Sequence, residues 1–158
     1  MVDVDPTKKP SPPLVALCGW LVPGLGYWLI GEKTRALYSG GAILTLFLGS
    51  LLVAGVRTID VPGYDYRGER ILTADGSWVL LENPVRSLLN TPHFIPEFFA
   101  GPITFISAYA ANVAGSEGVA KTNPLLDAPA ELGCAVAGGL NLMALIDAAS
   151  RAARRRRY

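Results

Sequence analysis

The side chains that could do chemistry are few and poorly arranged for it. His93 is the single histidine, and with Glu97 it forms an i, i+4 pair that would suit a metal ion on an unbroken helix. Pro92 and Pro96 interrupt that helix, so an ordinary interfacial histidine is the favoured reading. Cys18 and Cys134 both fall in apolar stretches, near opposite faces of a bilayer. That placement argues for packing and against a mutual disulfide. The serines have no histidine or carboxylate at comparable depth, which leaves an intramembrane serine hydrolase without a general base. Gly24 and Gly26 lack the preceding strand and the Lys-Ser/Thr ending of a phosphate loop. No catalytic, cofactor-binding or metal residue is assigned, and the chain reads as a non-enzyme.

The elements that carry these residues are apolar. Of 158 residues, 51% are hydrophobic and 17% charged, with mean hydropathy +0.34, whereas soluble domains carry roughly 25% charged residues. Four segments approach the roughly 20 apolar residues that cross a hydrocarbon core. They are Leu14 to Ile30, Leu37 to Val56, about Phe98 to Gly115, and about Leu132 to Ala149. A soluble domain of this size cannot hide four helices that are apolar all round. The expected fold is all-α, with four transmembrane helices as two hairpins. The first apolar run is retained rather than cleaved, because Pro23-Gly24 sits at its centre and no small-x-small site follows.

Orientation follows the distribution of Lys and Arg. With four spans and the amino terminus inside, the inner side holds eleven basic residues and the outer side three; without the long second loop the ratio is seven to three. Both termini are expected in the cytoplasm. One detail is discordant: Lys33 and Arg35 occupy the tightest loop, on the outer side. If the first segment instead folds back at Pro23-Gly24 as two re-entrant half-helices, that loop stays inside, but non-helical backbone at depth then needs cover from other helices. The odd number of spans would also part the two termini, against the charge counts.

The run Pro23-Gly24-Leu25-Gly26-Tyr27-Trp28-Leu29-Ile30-Gly31-Glu32-Lys33-Thr34-Arg35-Ala36 resembles the P-G-L-G-x(4)-G hairpin of uncharacterised small bacterial membrane proteins. It is similar, more distantly, to the two-transmembrane-helix hairpin domain. The likeness covers about residues 14 to 56 and departs at Leu29, Ile30 and Ala36. It implies residence in a bacterial inner membrane and no shared activity. Independently of it, Pro23 removes a backbone donor while Gly24 and Gly26 permit a bend and a close approach.

Small residues recur every fourth position as Gly41-Thr45-Gly49, Ser107-Ala111-Gly115 and Gly133-Ala137-Asn141, three candidate packing stripes. Asn112 and Asn141 are the amides inside the spans, each able to hydrogen-bond to a neighbouring helix. Asp147 and Arg151 suit a helix-face ion pair. Glu97 is expected at the cytoplasmic mouth of segment three, and a proton path would need carboxylates nearer the midplane.

The organisation read from this is a cytoplasmic tail (1–13), a transmembrane hairpin with the PGLG motif (14–56), a soluble loop (57–93), a second transmembrane hairpin (94–150) and a basic tail (151–158). Ala74-Asp75-Gly76 between two apolar runs reads as a cytoplasmic β-hairpin, and Asn83-Pro84 as the start of an interfacial helix. Asn123-Pro124 repeats that start. Arg154, Arg155, Arg156 and Arg157 hold the carboxyl end inside and suit anionic lipid; nucleic acid is not expected. The leading functional reading is a non-enzymatic scaffold or accessory subunit of a membrane complex, acting with a membrane-protein partner or as a homo-oligomer. The alternative is an oligomeric small transporter or channel-forming subunit.

Overall fold

A computed structural model describes residues 10–65, 69–121 and 123–157. Lys8, Lys9, Arg67 and Tyr158, which entered the charge and tail readings, lie outside them, as does the Arg157 side chain. The described chain is mostly helical: α1 (Pro12–Leu21), α2 (Leu25–Leu29), α3 (Lys33–Ala54), a 3-10 turn (Val56–Thr58), α4 (Val79–Glu82), α5 (Pro84–Asn90), α6 (Phe94–Phe98), α7 (Pro102–Ser116) and α8 (Pro124–Arg157).

Two of these helices, α3 and α8, are long and apolar enough to cross a membrane. At 1.5 Å per residue, the 22 residues of α3 reach about 33 Å, the thickness of a hydrocarbon core. They run antiparallel. Ser50, near the end of α3, meets Gly133, near the start of α8, while Arg35 lies 3.8 Å from Asp147.

The first and third expected spans are broken, and each break folds the chain back. In the first, α1 has 10 residues, about 15 Å, and α2 has 5. Between them Gly24 adopts φ +89, a left-handed conformation that glycine tolerates best. The turn presses so closely on α3 that a Cβ on Gly40 would stand 2.3 Å from the Pro23 carbonyl oxygen. α2 then returns along α1: a Cβ on Gly26 would come within 2.8 Å of the Val15 carbonyl. The third segment breaks at Gly101 (φ +101), ahead of Pro102, leaving α6 and the 15-residue α7 as arms of a second hairpin. Four crossing helices are therefore corrected to two long helices and two short hairpins. Each break is a proline beside a glycine: the Pro23-Gly24 turn seats on Gly40, while the Gly101-Pro102 turn packs on the Trp20 carbonyl and α6 seats on Gly138.

The two hairpins enter from opposite ends. α1 starts among Ile30, Ala36, Ala148 and Ala152, at the end carrying the basic tail. α6 starts where His93 pairs with Glu131, at the other end, and runs down α8 until Pro96 meets Gly138. Their tips touch, with Gly101 packed against the Trp20 carbonyl.

The long loop is also corrected. Residues 55–65 and 69–93 follow the end of α3 remote from Arg151, opposite both described chain ends rather than beside them. The expected β-hairpin reduces to isolated bridges, Tyr64 with Arg70 and Leu72 with Trp78, and no strand is present among the described residues. The turn itself forms, with Thr73 N–H donating to Ser77 O at 2.8 Å. Its second arm enters α4 at Val79 before a ladder can extend. α5 forms where Asn83-Pro84 announced it, leaving Val85 and Leu89 exposed, but the Asn83 side chain makes no cap. Asn123 does cap α8, through Leu125 N–H at 3.1 Å.

Large apolar side chains cover the outside, among them Leu37, Leu52, Ile106, Tyr109 and Met143. The small inner core is Ile43, Phe47, Ala100, Ala108, Cys134 and Ala137.

Candidate functional site

A helix leaves its last four carbonyls unsatisfied, and away from water each such group costs free energy. Two broken helices ending at the same depth concentrate that problem. Asn141 solves much of it. It stands midway between Leu132 and Ala149 on α8 and is fully buried. Its Nδ2 donates to the Phe99 carbonyl at 2.8 Å and to the Gly19 carbonyl at 3.3 Å, tying the ends of α6 and α1 to one side chain. Trp20 Nε1 donates to the Phe98 carbonyl at 3.0 Å, and the buried Thr104 hydroxyl donates to the Glu97 carbonyl. Trp20, Phe98 and Phe105 cover the junction with tilted and edge-on ring contacts.

Glu97 lies inside this junction, 1% exposed, and neither carboxylate oxygen has a hydrogen-bond partner. Its placement at a water-facing mouth is therefore corrected. α6 carries it inward until the backbone at Pro96 and Glu97 rests on Gly138, where a Cβ would stand 1.9 Å from the Pro96 oxygen. An ionised carboxylate without a partner costs several kcal/mol in such surroundings. A bound proton or cation removes that cost. Cys134, also fully buried, lies beside it, and Glu131 and Asp60 are the other acidic groups whose fields reach it.

His93 and Glu97 do share one side of α6, despite Pro92 and Pro96, and both turn toward α8. His93 Nδ1 lies 2.9 Å from Glu131 Oε1, and Glu131, Cys134 and Gly138 succeed one another along one face of α8 toward Asn141. From the half-exposed His93 inward, the face is a descending series of titratable groups. Lys121 pairs with Asp60 beside it and lies 3.8 Å from Asp127.

Asn112 is not part of this centre. It lines a small cleft with Asp60, Tyr64 and Lys121, and its Oδ1 has no partner. Cys18 and Cys134 are both free thiols. At the opposite end, Asp147 accepts from Arg151 Nε at 2.7 Å, as the i, i+4 spacing indicated, and also from the Tyr27 hydroxyl at 2.9 Å. Glu32 joins it with Arg35, Arg151 and Arg155, at 3.2, 3.6 and 3.0 Å. The Lys33 and Arg35 loop thus lies beside the arginine tail.

Two of the three small-residue stripes pack within the chain. Ser107, Ala111 and Gly115 are buried, while Ala137 and Asn141 are fully buried and Gly133 faces Ser50. The third faces outward: nothing lies within 4 Å of a Cβ placed on Gly41 or Gly49. The glycines that do pack on α1–α3 are Gly19, Gly24, Gly26 and Gly40.

The chain belongs to a family of unknown function (DUF6677), whose profile matches residues 14–157 and so takes in nearly all of α1 through α8. No curated protein and no solved structure matches it.

Proposed function

We propose that this member of a family of unknown function is an inner-membrane protein that crosses the bilayer on α3 and α8, and that its α1–α2 and α6–α7 hairpins are re-entrant. Its function is that of a small transporter or channel-forming subunit, without enzymatic activity. One observation carries this reading: an unpartnered carboxylate, Glu97, buried where two half-depth hairpins meet. Ionisable groups at membrane depth mark substrate and ion routes. Broken helices that meet near the midplane are the usual frame for such a site, and packed neighbours such as Gly40 and Gly138 supply the cover that irregular backbone requires.

With two crossings, the side bearing both termini holds nine of the fourteen basic residues and the loop side five. The termini are cytoplasmic by the positive-inside rule, and the 55–93 loop faces the other side. Arg154 and Arg156 are exposed at the tail and suit anionic headgroups, while Arg155 holds Glu32.

A second reading, an accessory or scaffold subunit, is favoured by the outward groove between α3 and α8. Lined by Ala42, Thr45, Gly49, Ser50, Pro129 and Ala130, it has a volume of about 670 Å³ and would admit another helix closely. Reconstitution separates the two. The purified chain in phosphatidylethanolamine–phosphatidylglycerol vesicles should dissipate an imposed proton or monovalent-cation gradient. Tight vesicles, together with copurification of a stoichiometric membrane partner from native membranes, would favour the scaffold.

A further inference from the structure

We propose that Glu97 is a proton-binding site loaded from the loop-side face through the His93–Glu131 pair. This deepens the transport reading and rests on the membrane placement of α6 and α8. Three observations converge on it. Glu97 is buried with both oxygens unpartnered, so it is stable there only with a proton or counter-ion bound. The groups facing it leave the proton as the better occupant. On α8 these are Glu131 and Cys134, on the stretch after α3 Asp60, on α7 the uncharged Thr104, and just ahead of α6 His93. Among the described residues the nearby ammonium, Lys121, is engaged by Asp60 and near Asp127. Among the described residues no three metal-ligating side chains converge, as a tightly held divalent ion would need. Finally, His93 is half-exposed and within 2.9 Å of Glu131, which gives the centre a titratable contact with the loop-side surface.

The transfer is a plain proton relay. A solvent proton binds His93 Nε2, the Nδ1 proton passes to Glu131, and Glu131 passes one to a Glu97 carboxylate oxygen by rotation or through a water. Glu131 returns to its starting state, His93 is left as the Nε2–H tautomer and resets by exchanging its ring protons with solvent, and no electron moves.

Infrared difference spectroscopy on the full chain in phosphatidylethanolamine–phosphatidylglycerol vesicles tests it. At neutral pH the wild type should show a protonated-carboxyl stretch that is lost in Glu97→Gln and retained, shifted, in Glu97→Asp. Melting in detergent confirms that both variants fold. On transfer to deuterium oxide the wild-type band should exchange promptly. In His93→Ala and Glu131→Gln, exchange should slow by about a hundredfold, the scale of losing a positioned proton-transfer group. A spectrum without a Glu97-dependent band overturns the proton site, and unchanged exchange in both relay variants overturns the route. If band and exchange behave as expected while vesicles stay proton-tight, the site stands and the transport reading falls.

Discussion

The two short hairpins are built on one plan and finished differently. Each turns back at a glycine of positive φ beside a proline, and each is seated on a glycine of a long helix, Gly40 for the first and Gly138 for the second. At its outer end the first hairpin is held by paired charges, with Tyr27 on Asp147 and Glu32 among three arginines. The second carries an acid inward and leaves it unpaired. The shared plan is what folding needs; the unpaired acid is a burden that folding alone does not explain.

Substitutions can break or sharpen that contrast. The largest effect is expected from Gly138→Ala, whose Cβ would meet backbone at 1.9 Å: a loss of about 3 kcal/mol, or no folded protein, read as melting in detergent. Gly40→Ala should match it, and a harmless Gly138→Ala would remove the second hairpin from its seat. Asn141→Ala frees two buried carbonyls at once and should cost about 2 kcal/mol by the same assay. Glu97→Leu should go the other way, gaining about 1 kcal/mol, because an apolar group of similar size relieves an unpaired buried acid. Loss of stability there would mean that Glu97 is structural, like its counterparts in the first hairpin. Glu32→Ala, partly exposed within its network, should cost about 1 kcal/mol or less, diminishing with salt. Gly41→Ala, one residue from Gly40 but with open space around it, should change melting little.

The long helices were legible because length and apolarity suffice to specify them, as with Lys33–Ala54. The break at Pro23-Gly24 was visible, with re-entry as its alternative outcome, whereas Gly101-Pro102 was read as part of an unbroken span. A bend becomes a reversal only when neighbouring helices accept the returning arms, and Gly40 under the first turn and Gly138 under α6 look no different in sequence from the idle Gly41 and Gly49. The depth of Glu97 was misread for the same reason: counted along a straight span it falls at the mouth, and only the fold-back carries it inward. Asp147 with Arg151 was legible because one helix sets both positions, whereas His93 with Glu131 depends on two. In the loop, alternating apolar residues around Asp75-Gly76 announced a turn, and the short helix at Val79 then cut off the pairing.

The placement of Gly31 tests the account most directly. In a background with Cys18→Ser and Cys134→Ala, single cysteines at Gly31, Gly76 and Tyr158 can be labelled with a membrane-impermeant thiol reagent from either side of oriented membranes. Two crossings with re-entrant hairpins predict that Gly31→Cys and Tyr158→Cys react from the cytoplasmic side, and Gly76→Cys from the other. Labelling of Gly31→Cys from the side opposite Tyr158→Cys, with Gly76→Cys reacting on the cytoplasmic side, would restore four crossings and contradict the half-depth junction at Asn141.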